Sequence, residues 1–240
     1  MFVASIALTL GMTAGVVPVQ APQYALQSST QATLPVAQPN ENRTPAGRML
    51  GDTLVLRLVV SRVAWYIHTQ KDPALTVLAF GEEGHAPSIP GPLLRVRAGM
   101  PVRVTLRNPL RDSLIVHGFG SRGDGVADSL ILPAGEQKEV RFASGARGTL
   151  YCAAPTSWRN RTITGRRKED TQLAGAFIVD PRDMPPMRDR VFVITQHVDT
   201  LTAEGLMLRD KFGVPARECV AFNDKSWPGA KPQASKSSID

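Results

Sequence analysis

Histidine and cysteine are scarce: the 240 residues contain four of the first and two of the second. No two cysteines have the close spacing of a zinc-ligand pair, which sets aside a small zinc-stapled module. Aromatic residues make up only 6% of the chain. None interleaves with the arginines of "LLRVRAGMPVRVTLRN", so there is no platform on which bases could stack. Despite a net charge of +7, nucleic acid is therefore not an expected partner. A nucleophilic-serine elbow, a phosphate-cradling glycine loop and paired carboxylates at catalytic spacing are also missing. No helix of convincing length is visible, and no segment beyond the N-terminus could span a bilayer.

What is present is ordinary globular material, with 42% hydrophobic and 20% charged residues, enough apolar side chain for a packed core. Gly and Pro together number 39, which predicts many short turns. The opening run "MFVASIALTLGMTAGVVPVQA" is uncharged and apolar, then turns to small residues. Residues 1–21 read as a signal peptide cleaved after Val19-Gln20-Ala21, although no Lys or Arg precedes the apolar stretch. That predicts an exported protein, periplasmic or extracellular, in preference to a membrane anchor, since Gly11, Gly15 and Pro18 break the run and it is short for a spanning helix. Residues 22–50 are rich in Gln, Pro, Ser, Thr and Asn, a composition that cannot bury a core, and are expected to be a disordered spacer.

From Gly51 the pattern is all-β. "TLVLRLVVSRVAWYI", "LTVLAFG", "LLRVRAG", "VRVTLRN", "SLIVHG", "QKEVRFAS", "GTLYCAA" and "LAGAFIVD" are candidate strands, many of them separated by breakers such as Asp72-Pro73, Pro90-Gly91-Pro92, Asn108-Pro109 and Pro133-Ala134-Gly135. Short strands so punctuated predict a Greek-key β-sandwich over 51–182. Arginine on alternate positions reads as the wet face of half-buried strands.

In order, "IPGPLLRVRAGMPVRVTLRNPL", "SLIVHGF", "DGV", "LPAGEQKEVRF", "GTLYC" and "QLAGAFIVDP" resemble the first domain of multicopper oxidases, the laccase-like proteins built from plastocyanin-like (cupredoxin) domains. The resemblance covers about 75–182. It continues into "RDRVFVITQHVDT" and "AFNDKSWP", which look like the opening strands of a second such domain. It implies a copper-dependent oxidoreductase passing electrons to oxygen. It also implies two His-x-His pairs in the first domain, because alternate strand residues aim two imidazoles at one side. The first pair maps onto Ile115 and His117, and the second onto Ala153 and Pro155. Only His117 matches, so His117 is the one candidate metal ligand, copper the cofactor implied by the resemblance, and the ligand set incomplete. The blue-copper Cys, His and Met of the family belong to its last domain, which is not recognisable here.

The other reactive residues read as structural. Cys152 is expected in the core rather than on copper. Cys152 and Cys219 could pair in an exported protein, but they fall in segments assigned to different domains and read as two thiols. His68, His85 and His197 are expected at the surface or in turns. Residues 158–172, with five basic and two acidic side chains, read as a solvated loop, or else as a docking site for an acidic surface. Residues 188–228 supply only a few strands of the second cupredoxin-like domain, and 229–240 are expected to be a disordered tail. The chain thus reads as truncated relative to its family, or as a frame that ends early. A second chain or missing domains would complete the sheet and the copper site. The competing reading is a non-enzymatic exported β-sandwich that binds or scaffolds through its Arg-rich face.

Overall fold

Period-two alternation builds most of this molecule. The computed structural model describes residues 33–67, 71, 74–120, 129–156, 168–185, 189–199, 217–223 and 225–226. The chain falls into two units, Met1–Thr33 and Leu34–Asp240, and all described residues except Thr33 belong to the second. Its strands are β1 (Gln38–Pro39), β2 (Arg48–Leu50), β3 (Thr53–Trp65), β4 (Leu75–Glu82), β5 (Ser88–Ile89), β6 (Gly91–Arg97), β7 (Pro101–Arg107), β8 (Leu114–His117), β9 (Ser129–Leu132), β10 (Gln137–Ala143), β11 (Gly148–Ala153), β12 (Ala174–Asp180), β13 (Ile194–Asp199), β14 (Arg217–Phe222) and β15 (Lys225–Ser226). A short 3₁₀ helix, Lys168–Gln172, is the single helical element among the described residues.

Two five-stranded sheets face each other in a Greek-key sandwich. The first runs β10-β7-β3-β2, with β4 on the C-terminal half of the long strand β3, and the second runs β6-β12-β11-β8-β9. The β3–β7 and β6–β12 pairs are parallel, which places sequence-distant strands side by side. Between the sheets lie Leu56, Leu58, Phe80, Leu94, Val104, Leu132 and Phe177. Phe142 and Phe177 meet edge to face, with ring centroids 6.1 Å apart, the geometry aromatic quadrupoles favour. All eight candidate strands are present. The four short strands β1, β2, β5 and β9 are additional.

The expected spacer 22–50 is too long. Residues 1–32 lie outside the described residues, but 33–50 are part of the fold. Their polar composition hides a strap that satisfies backbone groups rather than burying side chains. The Ala37 N–H donates to the Ala64 carbonyl and the Ala64 N–H to that of Pro35, the Ala46 N–H donates to the Leu93 carbonyl, and β2 pairs with β3. The Asn40 amide donates to the carbonyl of Gly91 at 3.0 Å. The Ala46 and Asn40 bonds fall on the open side of β6, an edge that would otherwise be exposed.

β13, β14 and β15 form a separate three-stranded sheet, and they pack on the sandwich. Val191 and Val193 join Leu93, Ala176 and Ile178 in a second apolar cluster, while Ala221 joins Trp65 and Val77 in a third. Asn42 and Asn223 link the two ends of the described chain: the Asn42 amide donates to Asn223 Oδ1 at 3.2 Å, and the same oxygen accepts from the Val193 N–H. The tail 229–240 lies outside the described residues.

Candidate metal centre

The positions singled out by the His-x-His pattern come together. β8 and β11 run antiparallel, with His117 directly opposite Ala153. One step along, the Ile115 N–H donates to the Pro155 carbonyl at 2.9 Å. The quartet Ile115, His117, Ala153 and Pro155 therefore occupies one corner of the second sheet. Its strand neighbours Leu114, Val116, Cys152 and Ala154 point into the core, so the quartet faces the opposite, outer side.

Gly118 holds this corner together. It has φ +90°, and a Cβ there would sit 2.6 Å from the Tyr151 carbonyl oxygen and 2.8 Å from Cys152 Cα. Only glycine allows β8 to turn away so close to β11.

The quartet is a poor home for copper. Ile115, Ala153 and Pro155 are buried and carry no donor atom. His117 is half-buried, with its Nε2 shielded from solvent. Among the described residues no group of three or more His, Cys, Asp or Glu could hold a metal ion. A copper cluster needs several nitrogen or sulfur ligands converging on one point, and the side chains present do not fit one. Cys152 does not substitute. It is buried among core residues of both sheets, its sulfur 3.4 Å from the Gly175 carbonyl oxygen.

A polar cluster lies next to the quartet, where β11 ends. The Thr156 N–H and hydroxyl both donate to the Asp170 carboxylate, at 2.8–2.9 Å. Thr195 Oγ1 is 2.9 Å from Gln172 Oε1, and Thr171 Oγ1 is 2.8 Å from His197 Nδ1. The loop expected at 158–172 thus ends in a helix whose last three residues are buried, and residues 157–167 lie outside the described residues. His197 corrects a second expectation. It is buried, 5% exposed, and its ring meets Trp65 edge to face at 5.8 Å. The signal was available in "VFVITQHV": Val191, Val193, Thr195 and His197 share one face at period two, and that face packs inward. His85 sits exposed in the β4–β5 turn, as expected, whereas His68 lies outside the described residues.

The same outer face carries an ion triad. Arg95 on β6 forks onto Asp180 of β12, with both N–H···O distances 2.8 Å, and reaches Asp189 at 2.6 Å. Its side chain is 12% exposed and that of Asp180 5%. Hydrogen bonding to Asp180 raises the guanidinium pKa above its ordinary value. Burial pulls the other way, and Asp189 adds to the rise. The wet face expected for this arginine is instead a buried one.

A Greek-key sandwich of two five-stranded sheets with this strand pairing is a cupredoxin-like fold. Residues 84–184, a little under half of the chain, match the family model for multicopper oxidase. A probable nitrite reductase-hydroxylamine oxidoreductase fusion protein from Kuenenia stuttgartiensis is 27% identical over 154 residues, which is 60% of this chain and 16% of that protein. Among solved structures, the copper nitrite reductase of Nitrosomonas europaea is similar with a TM-score of 0.51 and 23% identity, over 72% of this chain and 57% of that one. The blue copper oxidase from the same organism has a TM-score of 0.51 and 19% identity, over 73% and 55%. Both structures share the fold, and the chain spans a little over half of their length. No helix among the described residues is long and apolar enough to cross a membrane.

Proposed function

We propose that this chain is an exported cupredoxin-like domain of multicopper-oxidase descent that does not perform the family's copper-dependent oxidation on its own. The observation that supports this reading is the in-register quartet, which stands where the family resemblance expects two histidine pairs and in which three of the four side chains have no donor atom. His117 remains as one imidazole, and one imidazole holds copper only loosely. A second chain or further domains would have to bring the remaining ligands. Residues 1–21 would direct the protein to the periplasm or the extracellular space.

The test is copper stoichiometry and oxygen consumption, measured on the chain from residue 22 onward beside a His117→Ala variant. The expected result is far less than one copper per chain after dialysis for both proteins, and no substrate-dependent oxygen uptake. One retained copper that His117→Ala removes, together with oxygen uptake, would overturn the reading.

A second reading, a non-enzymatic binding module using an Arg-rich face, is supported by the first sheet. Arg48, Arg103 and Arg107 make no ion pair among the described residues, and all three lie on the outer face of that sheet.

A further inference from the structure

Resting on the binding-module reading, we infer that the outer face of the first sheet carries a groove for a small organic anion, its charged head on Arg103 and Arg141 and its apolar body in the trough beside them. The strand register builds the groove from two adjacent rows. Arg48, Val55, Arg103 and Arg141 lie side by side across β2, β3, β7 and β10. Two residues along each strand, and so on the same face, come Leu50, Thr53, Pro101 and Ala143. The second row is short or apolar next to long cationic side chains. Leu50, Thr53, Pro101, Arg103, Arg141 and Ala143 from these rows, together with Val102 and Phe142, line a groove of about 470 Å³. That volume is in the range of small-ligand sites.

The charges support an anion. Arg103 and Arg141 are directly opposite one another on neighbouring strands, a placement in which like charges repel and cost stability. Glu139 offsets part of this by pairing with Arg141 at 2.7 Å. Arg103 is half-buried and has no ion pair among the described residues. A carboxylate, sulfonate or phosphate placed between the two guanidiniums would take up the free donors in paired N–H···O contacts. Leu50, 59% exposed, would then cover the apolar part. Phe142 borders the groove but is 7% exposed, with its ring edge to face against Phe177 in the core, so it offers no open face on which a nucleobase could stack.

The test is calorimetric titration of the full chain with 1-naphthoate, against the neutral 1-naphthalenemethanol, inorganic phosphate and polygalacturonate. Naphthoate should bind about tenfold more tightly than the alcohol, the worth of one charged hydrogen-bond pair. Arg103→Gln should weaken it by a similar factor. Glu139→Gln, which releases Arg141, should tighten it, and affinity should fall between about 0.05 and 0.5 M NaCl. Phosphate binding that competes with naphthoate also supports the groove. Equal binding of naphthoate and the alcohol, indifference to Arg103→Gln, or no naphthoate binding overturns it. Polygalacturonate separates the two levels of failure. If the polymer binds and Arg107→Gln weakens it while naphthoate does not bind, the groove falls and the Arg-rich binding face stands. If neither probe binds, both fall. Each variant is checked for an unchanged unfolding midpoint, since all three side chains are on the surface.

Discussion

Arg95 on β6 and Arg103 on β7 come from one stretch of alternating sequence, eight residues apart, and both point away from the sandwich core. Arg95 ends up buried against Asp180 and Asp189. Arg103 ends up on an uncovered face beside another arginine. The difference comes from what lies over each sheet. Val191 and Val193 cover the outer face of β6 and β12, and bring Asp189 with them. Nothing among the described residues covers the corresponding face of β7 and β10. One sheet therefore uses its outward arginine as an internal tie, and the other leaves it available. Alternation tells which side of a strand is the core; the layer added on the far side decides whether the other side is wet.

The largest expected effect tests the covered side. Asp180→Ala leaves the Arg95 guanidinium largely buried without its two-pronged carboxylate partner. Breaking one partner of a buried pair costs about 3–5 kcal/mol, read as a lower midpoint in denaturant unfolding. Raising the pH should not reproduce this loss. A raised arginine pKa means that the charged form, and the stability it contributes, is complete below the ordinary arginine value and fades only above it. An unfolding midpoint unchanged by Asp180→Ala would mean that Arg95 is as solvated as Arg103, and the contrast would disappear.

A smaller effect is expected from Val193→Ala, which thins the cover without touching a charge. Two buried methyl groups and a small cavity amount to about 2 kcal/mol. If the cover also shields Arg95, the double variant Val193→Ala/Asp180→Ala should cost less than the sum of the single ones, because each loosens the same contact. Strict additivity would separate the apolar cover from the ion triad.

Much of this architecture is legible in the sequence because burial follows the strand period. Val102, Val104 and Leu106 are buried and Arg103 and Arg107 are not, as the alternation in "VRVTLR" predicts. The unbroken run "AGAFIVD" belongs to a strand buried on both faces, in keeping with its position inside a covered sheet, between β6 and β11. The His-x-His pattern located the corner where β8 meets β11, since its spacing is also strand geometry. Other features could not be read locally. β1 and β2 lie in a stretch whose polar composition resembles a spacer, because they contribute hydrogen bonds and not apolar area. The fates of Arg95 and His197 depend on Asp180, Asp189 and Trp65, which are distant in sequence and near only after folding.

The smallest expected effect tests the uncovered side. Arg103→Ala removes a half-buried side chain that makes no ion pair among the described residues and faces Arg141. Loss of the aliphatic stem takes away some packing on Val55 and Thr53, while loss of the charge relieves repulsion across the strand pair. The two oppose each other, so stability should change by no more than about 0.5 kcal/mol, the usual span for a surface position. The sign should depend on salt. At low ionic strength repulsion is strong and the variant should be slightly the more stable protein; at high ionic strength screening removes that gain and leaves the packing loss. A loss of several kcal/mol at either ionic strength would place Arg103 in a structural role like that of Arg95. A near-zero effect that changes sign with salt, beside a large and salt-insensitive one for Asp180→Ala, would confirm that the two outward arginines differ through the layer above them.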